Sequence, residues 1–223
     1  MKDLFNGISY VFKGIRAYYS DTSLWKYGFL PFLGLAIFYF IIFFLCFYFL
    51  KGLVFWLVFL SLVLIFVPLT LSLLYELAGG IFFDLLIEKY AEKNSLLPPP
   101  QIKGRFLHFI ADTVRFNIKS ILLMVLLIPA SLALPLAGQI LVFLYLGNRN
   151  GKVWLLPALY FYGKTYETSK AKLKESGLLI TSFGTTLTFL LSIPFAALFL
   201  LPSLALGGLM LVEENLLEEE KYG

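Results

Sequence analysis

Cysteine, histidine and charge are all scarce in this chain of 223 residues. Cys46 is the only cysteine, which excludes a disulfide within one chain and a metal site built on cysteines. His108 is the only histidine, and no spacing of side chains is typical of a nucleophile with its base or of metal ligands. The sequence therefore predicts a protein that is not an enzyme, with no catalytic residue, no cofactor and no metal.

Charged residues make up only 14% of the chain, against about 25% in an ordinary soluble domain. Hydrophobic residues make up 60%, and the mean hydropathy is +0.86. This composition is typical of an integral membrane protein, and the length predicts one membrane domain over residues 1–223. The aromatic residues lie within apolar runs, so we expect no nucleic acid as a partner.

Residues 3–20 have the pattern of an amphipathic helix. Its apolar residues fall on one helical stripe, made of Leu4, Ile8, Val11, Phe12, Ile15 and Tyr19. Lys13 and Arg16 lie away from that stripe, and such a basic amphipathic helix is expected to lie in the membrane interface. Because the segment is charged and has no apolar core of the secretory kind, we expect no cleavable signal peptide.

Two uncharged runs of 24 residues each follow, separated only by Lys51. About 20 apolar residues cross the hydrocarbon of a bilayer. We therefore predict two long transmembrane helices, over 23–50 and 52–90. The segment 94–104 contains three consecutive prolines, which exclude a regular helix and predict a surface loop.

Two later uncharged runs have lengths that do not fit simple spans: 29 residues over 120–148 and 37 residues over 176–212. Both contain internal prolines, and broken helices at membrane depth persist only where protein or water satisfies the freed backbone groups. We predict two proline-broken, partially inserted helical hairpins in regions 105–148 and 176–217. The basic and aromatic segment 149–175 joins them and is expected to be interfacial.

The positions of lysine and arginine favour these hairpins. If both runs turn back, 17 of the 18 basic residues lie on one side of the membrane; if each run crosses once, the split is 11 to 7. The positive-inside rule prefers the first arrangement, with both termini cytoplasmic. Two thin, tilted crossings within the longer run would give the same count, so that alternative stays open.

Several stretches, taken in order, resemble one family. They are GISYVFKGIRAYYSDTSLWKYGFLPFL at 7–33, FFDLLIEKYAE at 82–92, PLAG at 135–138, FG at 183–184, IP at 193–194, LP at 201–202 and LVEE at 211–214. These stretches resemble the CysZ-type sulfate permeases, also called the etoposide-induced-protein-like family. The resemblance implies an all-α inner-membrane protein with two long spans and two partially inserted helical pairs. It also implies a homo-oligomer, a multi-pass location among membrane lipids, and a role in sulfate uptake for cysteine synthesis.

In that family a Gly-apolar-Arg-Arg/Lys motif associated with sulfate precedes the first span. The matching positions here are Ser23, Leu24, Trp25 and Lys26, so only Lys26 keeps its charge. An arginine would supply a planar two-pronged donor that lysine cannot copy. The resemblance therefore carries over to this turn with its strongest oxyanion ligand missing.

The residues themselves also indicate an anion site at this turn. Free backbone N–H groups at a helix N-terminus attract an oxyanion, and the hydroxyls of Thr22 and Ser23 and the ammonium of Lys26 would add to them. Arg16 on the preceding helix can lean into the same turn. The alternative is that Lys26 extends to the lipid headgroups and that Trp25 belongs to the interfacial aromatic belt.

Polar residues inside the two hairpins suggest a pathway. Thr181, Thr185 and Thr188 recur at helical spacing and would either line a hydrated path or join helices through hydrogen bonds of about 0.6 kcal/mol each. Gln139 in the first hairpin would either bridge helices or face water. The expected function is an inner-membrane permease or channel for sulfate or a related oxyanion. The alternative is a protein of the same fold that carries no sulfate and has an interaction or lipid-organising role.

Overall fold

A computed structural model describes residues 2–49, 52, 56, 83–96, 111–115, 118–119, 123, 135–191 and 196–217. All secondary structure in these residues is helical, which confirms the predicted all-α class. Most of the second long helix predicted over 52–90, and most of the proline-rich loop predicted over 94–104, lie outside the described residues.

The described residues include six α-helices. They are α1 (Lys2–Ser20), α2 (Trp25–Phe49), α3 (Pro135–Phe161), α4 (Tyr166–Glu175), α5 (Gly177–Leu191) and α6 (Ala196–Leu211). A 3₁₀ turn over Thr22–Leu24 joins α1 to α2, and a π-helical turn over Val212–Leu216 closes α6. Further helical segments are described at 83–93 and 111–115.

The core lies where α3, α5, α6 and α1 pack together. The tightest approach joins α3 to α5: a Cβ added to Gly184 would overlap the carbonyl oxygen of Gly147 and the backbone of Gly151. Only a glycine pair allows two helix backbones to lie this close, as in the small-residue interfaces of membrane helices. We call this set of four helices the glycine-packed bundle.

Helix α3 crosses the predicted boundary between 148 and 149 without a break and continues to Phe161. Leu155, Leu156 and Leu159 are fully buried, so this part of the segment 149–175 belongs to the core and not to an interfacial linker. Arg149 and Lys152 end the uncharged run of the sequence. Both residues are only partly buried, and the helix continues through them.

Helix α1 has a protein-facing side that the apolar stripe did not predict. Tyr10, Val11 and Tyr18 are buried, and a Cβ on Gly14 would overlap the backbone of Ser203 and Gly207 in α6. Of the predicted stripe, Val11 is buried, whereas Leu4, Phe12 and Tyr19 stay exposed. These three side chains are thus available to a membrane interface, while a second face built on glycines packs on α5 and α6.

Polar contacts tie the outer segments to this bundle. The Tyr10 hydroxyl donates to Glu214 at 2.7 Å, and Lys13 forms an ion pair with the same carboxylate at 2.9 Å. Segment 111–115 is attached through Arg115, which pairs with Glu167 of α4 at 2.9 Å. These contacts hold both ends of the chain against the core.

Within the described part of the chain, one helix is long and apolar enough to cross a membrane by length and composition. It covers Phe199–Leu216, and 67% of it is buried inside the protein. The predicted hairpin region 176–217 contains this helix and the shorter apolar helix Gly177–Leu191. Both are consistent with a helical pair, and the residues between them, 192–195, lie outside the described residues.

Candidate functional site

The turn between α1 and α2 is built around the side chain of Asp21. This residue has extended backbone angles, φ −123° and ψ 96°, and its carboxylate caps the following turn. The Ser23 backbone N–H and the Ser23 hydroxyl donate to the same carboxylate oxygen at 3.1 and 2.7 Å. An aspartate at this position is a favoured cap because it satisfies a backbone donor that the helix leaves unpaired.

The cap removes the free donors on which the predicted anion site depended. Ser23 N–H is bonded to Asp21, Leu24 N–H donates to the Asp21 carbonyl at 3.1 Å, and Trp25 N–H donates to Thr22. These three amide groups of the turn therefore have partners within the chain. The expectation that they would be free for an external oxyanion is not met in this conformation.

Lys93 is a member of the turn that the sequence did not suggest. It lies at the end of helical segment 83–93, and its ammonium is 2.6 Å from the second carboxylate oxygen of Asp21. The hydrogen bond from Lys93, followed by that from Ser23, lowers the pKa of Asp21 below its usual range. No spacing in the sequence predicts this pair, because 72 positions separate the two residues.

The residues predicted for the anion site are all exposed at or near this turn. Thr22, Ser23 and Lys26 lie on consecutive parts of the chain, and the Lys26 ammonium is 5.0 Å from the centre of the Tyr27 ring. Arg16 is also exposed, on the last part of α1. Within the described residues, no hydrogen bond or ion pair joins Arg16 to the other three.

The predicted pathway residues Thr181 and Thr188 contact α3. Asn148 donates to the Thr181 hydroxyl at 2.7 Å, and Asn150 donates to the Thr188 hydroxyl at 3.0 Å. Both hydroxyls also donate to backbone carbonyls four residues earlier in α5, each at 2.7 Å. This geometry favours the helix-joining alternative over a hydrated path.

Thr185 and Gln139 differ from that pair. The Thr185 hydroxyl lies against Gly147 of α3 and is buried, with no hydrogen-bond partner among the described residues. Gln139 is exposed near the start of α3. Of the four predicted pathway residues, the structure thus brings the three threonines to the contact with α3 and leaves Gln139 on the outside.

Comparison with known families now bears on this arrangement. A family model described as sulfate transporter CysZ/etoposide-induced protein 2.4 matches residues 10–202. The chain belongs to this family. No curated protein and no solved structure matches the chain significantly.

Family membership confirms the resemblance seen in the sequence and gives the turn its setting. The family is one of membrane transporters, so a membrane location and a small anion as substrate are consistent with it. The matched range includes the Asp21 turn and both α5 and the first part of α6. It also includes Ser23, Trp25 and Lys26, the positions at which the resemblance implied a sulfate motif.

Proposed function

We propose that this protein is an inner-membrane permease or channel for sulfate or a related oxyanion, which supports sulfate uptake for cysteine synthesis. The observation that carries the proposal is the family match over 193 of the 223 residues (10–202), because the matched description names a sulfate transporter. We further propose that it acts as a homo-oligomer. It carries out no catalysis in this proposal, and its substrate pathway is formed by protein and bilayer together.

The chemistry of the turn supports an oxyanion ligand. The Asp21 carboxylate is held by the Ser23 amide, the Ser23 hydroxyl and the Lys93 ammonium. An amide, a hydroxyl and an ammonium are also the donors that bind a sulfate oxygen, since both ligands are oxyanions. The carboxylate of the chain thus takes the place that a substrate oxyanion would occupy, with Lys26 exposed nearby.

Binding of sulfate at this turn is then a competition with Asp21. The incoming anion can accept hydrogen bonds from Ser23 and Lys93 only after the Asp21 carboxylate has moved away from them. The hydroxyl of Thr22 and the positive charges of Lys26 and Arg16 would then add to its binding. Asp21 is partly buried, but Lys93 is exposed, so solvent screens the ion pair and leaves it weak enough for an anion to displace the carboxylate.

A second candidate function is a protein of the same fold that carries no sulfate and has an interaction or lipid-organising role. The self-capped turn and Trp25 favour it, since both reduce the capacity of the turn for an external anion. The two candidates differ in one measurable property, the binding of sulfate.

The deciding experiment is isothermal titration of sulfate into the purified full chain in detergent, with chloride and phosphate as competitors. We expect Asp21→Asn, which keeps a capping side chain but removes its charge, to tighten sulfate binding by about two- to fivefold. Lys26→Ala and Lys93→Ala should weaken it by a similar factor. Glu167→Gln, which removes one carboxylate from an exposed ion pair on α4, is the matched control and should change nothing.

Sulfate binding by folded protein that is insensitive to Asp21→Asn and to both lysine variants would place the site elsewhere. No binding by the wild type and by Asp21→Asn would contradict a permease and favour the second candidate. Sulfate uptake into vesicles containing the same variants gives the corresponding test of transport.

A further inference from the structure

A crevice of about 220 Å³ opens beside the Asp21 turn, between the end of α1, the start of α2 and α6. Its lining residues are mostly aromatic: Tyr18, Tyr19, Trp25, Gly28, Phe29 and Phe199. Its volume is below the roughly 300 Å³ at which pockets for drug-sized ligands begin. The crevice therefore takes a slender ligand or one segment of a larger one.

The walls of this aromatic crevice offer almost no hydrogen-bonding groups. The Tyr18 hydroxyl donates to the Trp25 carbonyl at 3.3 Å, and the Tyr19 hydroxyl donates to the Phe199 carbonyl at 2.9 Å. Both hydroxyls are thus used within the chain, and only ring surfaces line the space. A polar ligand such as sulfate would lose its hydration there without replacement, so the occupant is a hydrocarbon.

The crevice lies where a membrane protein meets lipid headgroups. Tyr19, Trp25, Phe29 and Phe199 are all partly exposed, and tyrosine and tryptophan collect at the headgroup level of bilayers. The exposed apolar stripe of α1, which includes Phe12, leads to Tyr19 at one wall. At that depth the hydrocarbon within reach is the upper part of a phospholipid acyl chain.

Two exposed cations lie close in sequence to residues of the crevice wall and indicate which phospholipid it prefers. Arg16 precedes Tyr19 by three residues on α1, so the two lie one helical turn apart on neighbouring positions of its surface. Lys26 directly follows Trp25. Asp21, the acidic residue nearest to both in the sequence, is paired with Lys93.

We propose that the aromatic crevice binds one acyl chain of an anionic phospholipid whose headgroup phosphate is bound by Arg16 and Lys26. The lipid would form part of the wall between α1 and α2 and bring a negative charge beside the Asp21 turn. The inference depends on the membrane setting, and it assigns to a lipid phosphate the two cations, Arg16 and Lys26, that the proposed function places near sulfate. The lipid experiment is therefore done without sulfate, and the sulfate site is tested separately through Asp21→Asn and Lys93→Ala.

The test uses the fluorescence of Trp25, which is itself a wall of the crevice. Trp56→Phe and Trp154→Phe leave Trp25 as the single tryptophan of the full chain. This protein is reconstituted into vesicles of phosphatidylcholine containing an equal fraction of either dibrominated phosphatidylglycerol or dibrominated phosphatidylcholine. Bromine on an acyl chain quenches a tryptophan that it touches, so quenching measures occupancy of the crevice.

We expect dibrominated phosphatidylglycerol to quench Trp25 more strongly than the zwitterionic lipid. Each basic residue near the membrane surface is worth about fivefold in affinity, so Arg16→Gln together with Lys26→Gln should reduce the relative affinity for the anionic lipid by up to about twenty-fivefold. The control is Lys170→Gln with Lys174→Gln on α4, which makes the same change of charge away from the crevice and should leave the preference intact.

Two results would overturn the proposal. Equal quenching by both brominated lipids would show that the cations do not select the headgroup, and absence of quenching by either would show that something other than lipid covers Trp25. Should the single-tryptophan protein fail to fold, native mass spectrometry of the wild type in a mixture of the two unbrominated lipids decides the same question. Retention of phosphatidylglycerol that is lost in Arg16→Gln/Lys26→Gln supports the site, and equal retention contradicts it.

Discussion

The glycine-packed bundle and helix α2 differ in how their helix surfaces are covered. In the bundle, glycines such as Gly184 bring helix backbones into direct contact, and the residues around them are buried. Along α2, large side chains including Phe40 and Tyr48 are about two-thirds exposed, and a Cβ on Gly34 would meet no described atom within 4 Å. Glycine in an apolar helix therefore indicates close packing only where a partner backbone is present.

This difference between the bundle and α2 also indicates which helices contribute most to the free energy of folding. Membrane helices associate through van der Waals packing and hydrogen bonds, because lipid tails are as apolar as the side chains that they contact. The bundle has both kinds of contact. In a bilayer, the exposed aromatic side chains of α2 would gain no free energy by contacting each other in place of lipid. We therefore expect substitutions in the bundle to affect stability strongly and equivalent substitutions in α2 to affect it little.

The largest effect is expected from Gly184→Ala. Its new Cβ would overlap backbone atoms of α3, which cannot move aside as a flexible side chain would, so α3 and α5 must separate. We expect a loss of about 3 kcal/mol or more in the free energy of unfolding in detergent. Circular dichroism during thermal or denaturant unfolding measures it.

Gly34→Ala in α2 is the matched control for that change. It adds the same methyl group to an apolar helix, and alanine is the better helix former by about 1 kcal/mol. We expect no loss of stability. Equal destabilisation by the two substitutions would contradict the distinction between the bundle and α2.

An intermediate effect is expected for the asparagine–threonine pairs between α3 and α5. A double-mutant cycle with Asn150→Ala and Thr188→Val should give a coupling of about 0.6 kcal/mol, the average for hydrogen bonds between membrane helices. The pair Asn148 and Thr181 should behave in the same way. Zero coupling, together with loss of transport in Thr188→Val, would instead support the hydrated path.

The smallest effect is expected at the junction between α1 and α2, where Lys93 pairs with Asp21. Because the pKa of Asp21 is lowered in the folded protein from an ordinary value of 3.8, the pair stabilises the fold at neutral pH. That contribution begins to fade as the pH falls below about 4 and is lost once the folded-state carboxylate takes up a proton. Wild type should therefore exceed Asp21→Asn slightly in melting temperature at pH 7.

The same comparison near pH 3 should show a smaller difference, because the carboxylate of the unfolded chain is by then mostly protonated and the advantage of the charged folded state shrinks. A difference that stays constant between pH 7 and pH 3 would show that the charge of Asp21 does not contribute. Lys93→Met should reproduce the small loss at pH 7, because it removes the main cause of the lowered pKa.

The sequence predicted features that depend on local pattern and missed those that depend on distant partners. The all-α class follows from composition and from the apolar pattern of the sequence. The apolar pattern did not predict the protein-facing side of α1, because Gly14 adds nothing to such a pattern although it permits a close approach to α6. The sequence did not predict the continuation of α3 past residue 148, because Arg149 ends the uncharged run although it does not end the helix.

At the candidate anion turn, too, the sequence predicted neighbours along the chain but not partners that are distant in sequence. Thr22, Ser23 and Lys26 are neighbours in sequence, so their grouping could be predicted. Lys93 reaches the turn only through the path of the folded chain, and the capping carboxylate uses the amide that the prediction left free. A capping residue and an anion ligand compete for the same donors, and sequence alone does not reveal which one has them.

The double use of the threonine hydroxyls has a consequence for how the protein is made. The hydroxyls of Thr181 and Thr188 donate to carbonyls within α5, so these hydrogen bonds form as soon as that helix forms. The oxygens of the same hydroxyls accept hydrogen bonds from Asn148 and Asn150 only when α3 and α5 meet. Helix α3 leaves the ribosome first, and its two amides lack these acceptors until α5 follows. Because an unpaired amide is costly in hydrocarbon, we expect α3 to be held at the insertion machinery until α5 arrives and the two helices enter the bilayer together.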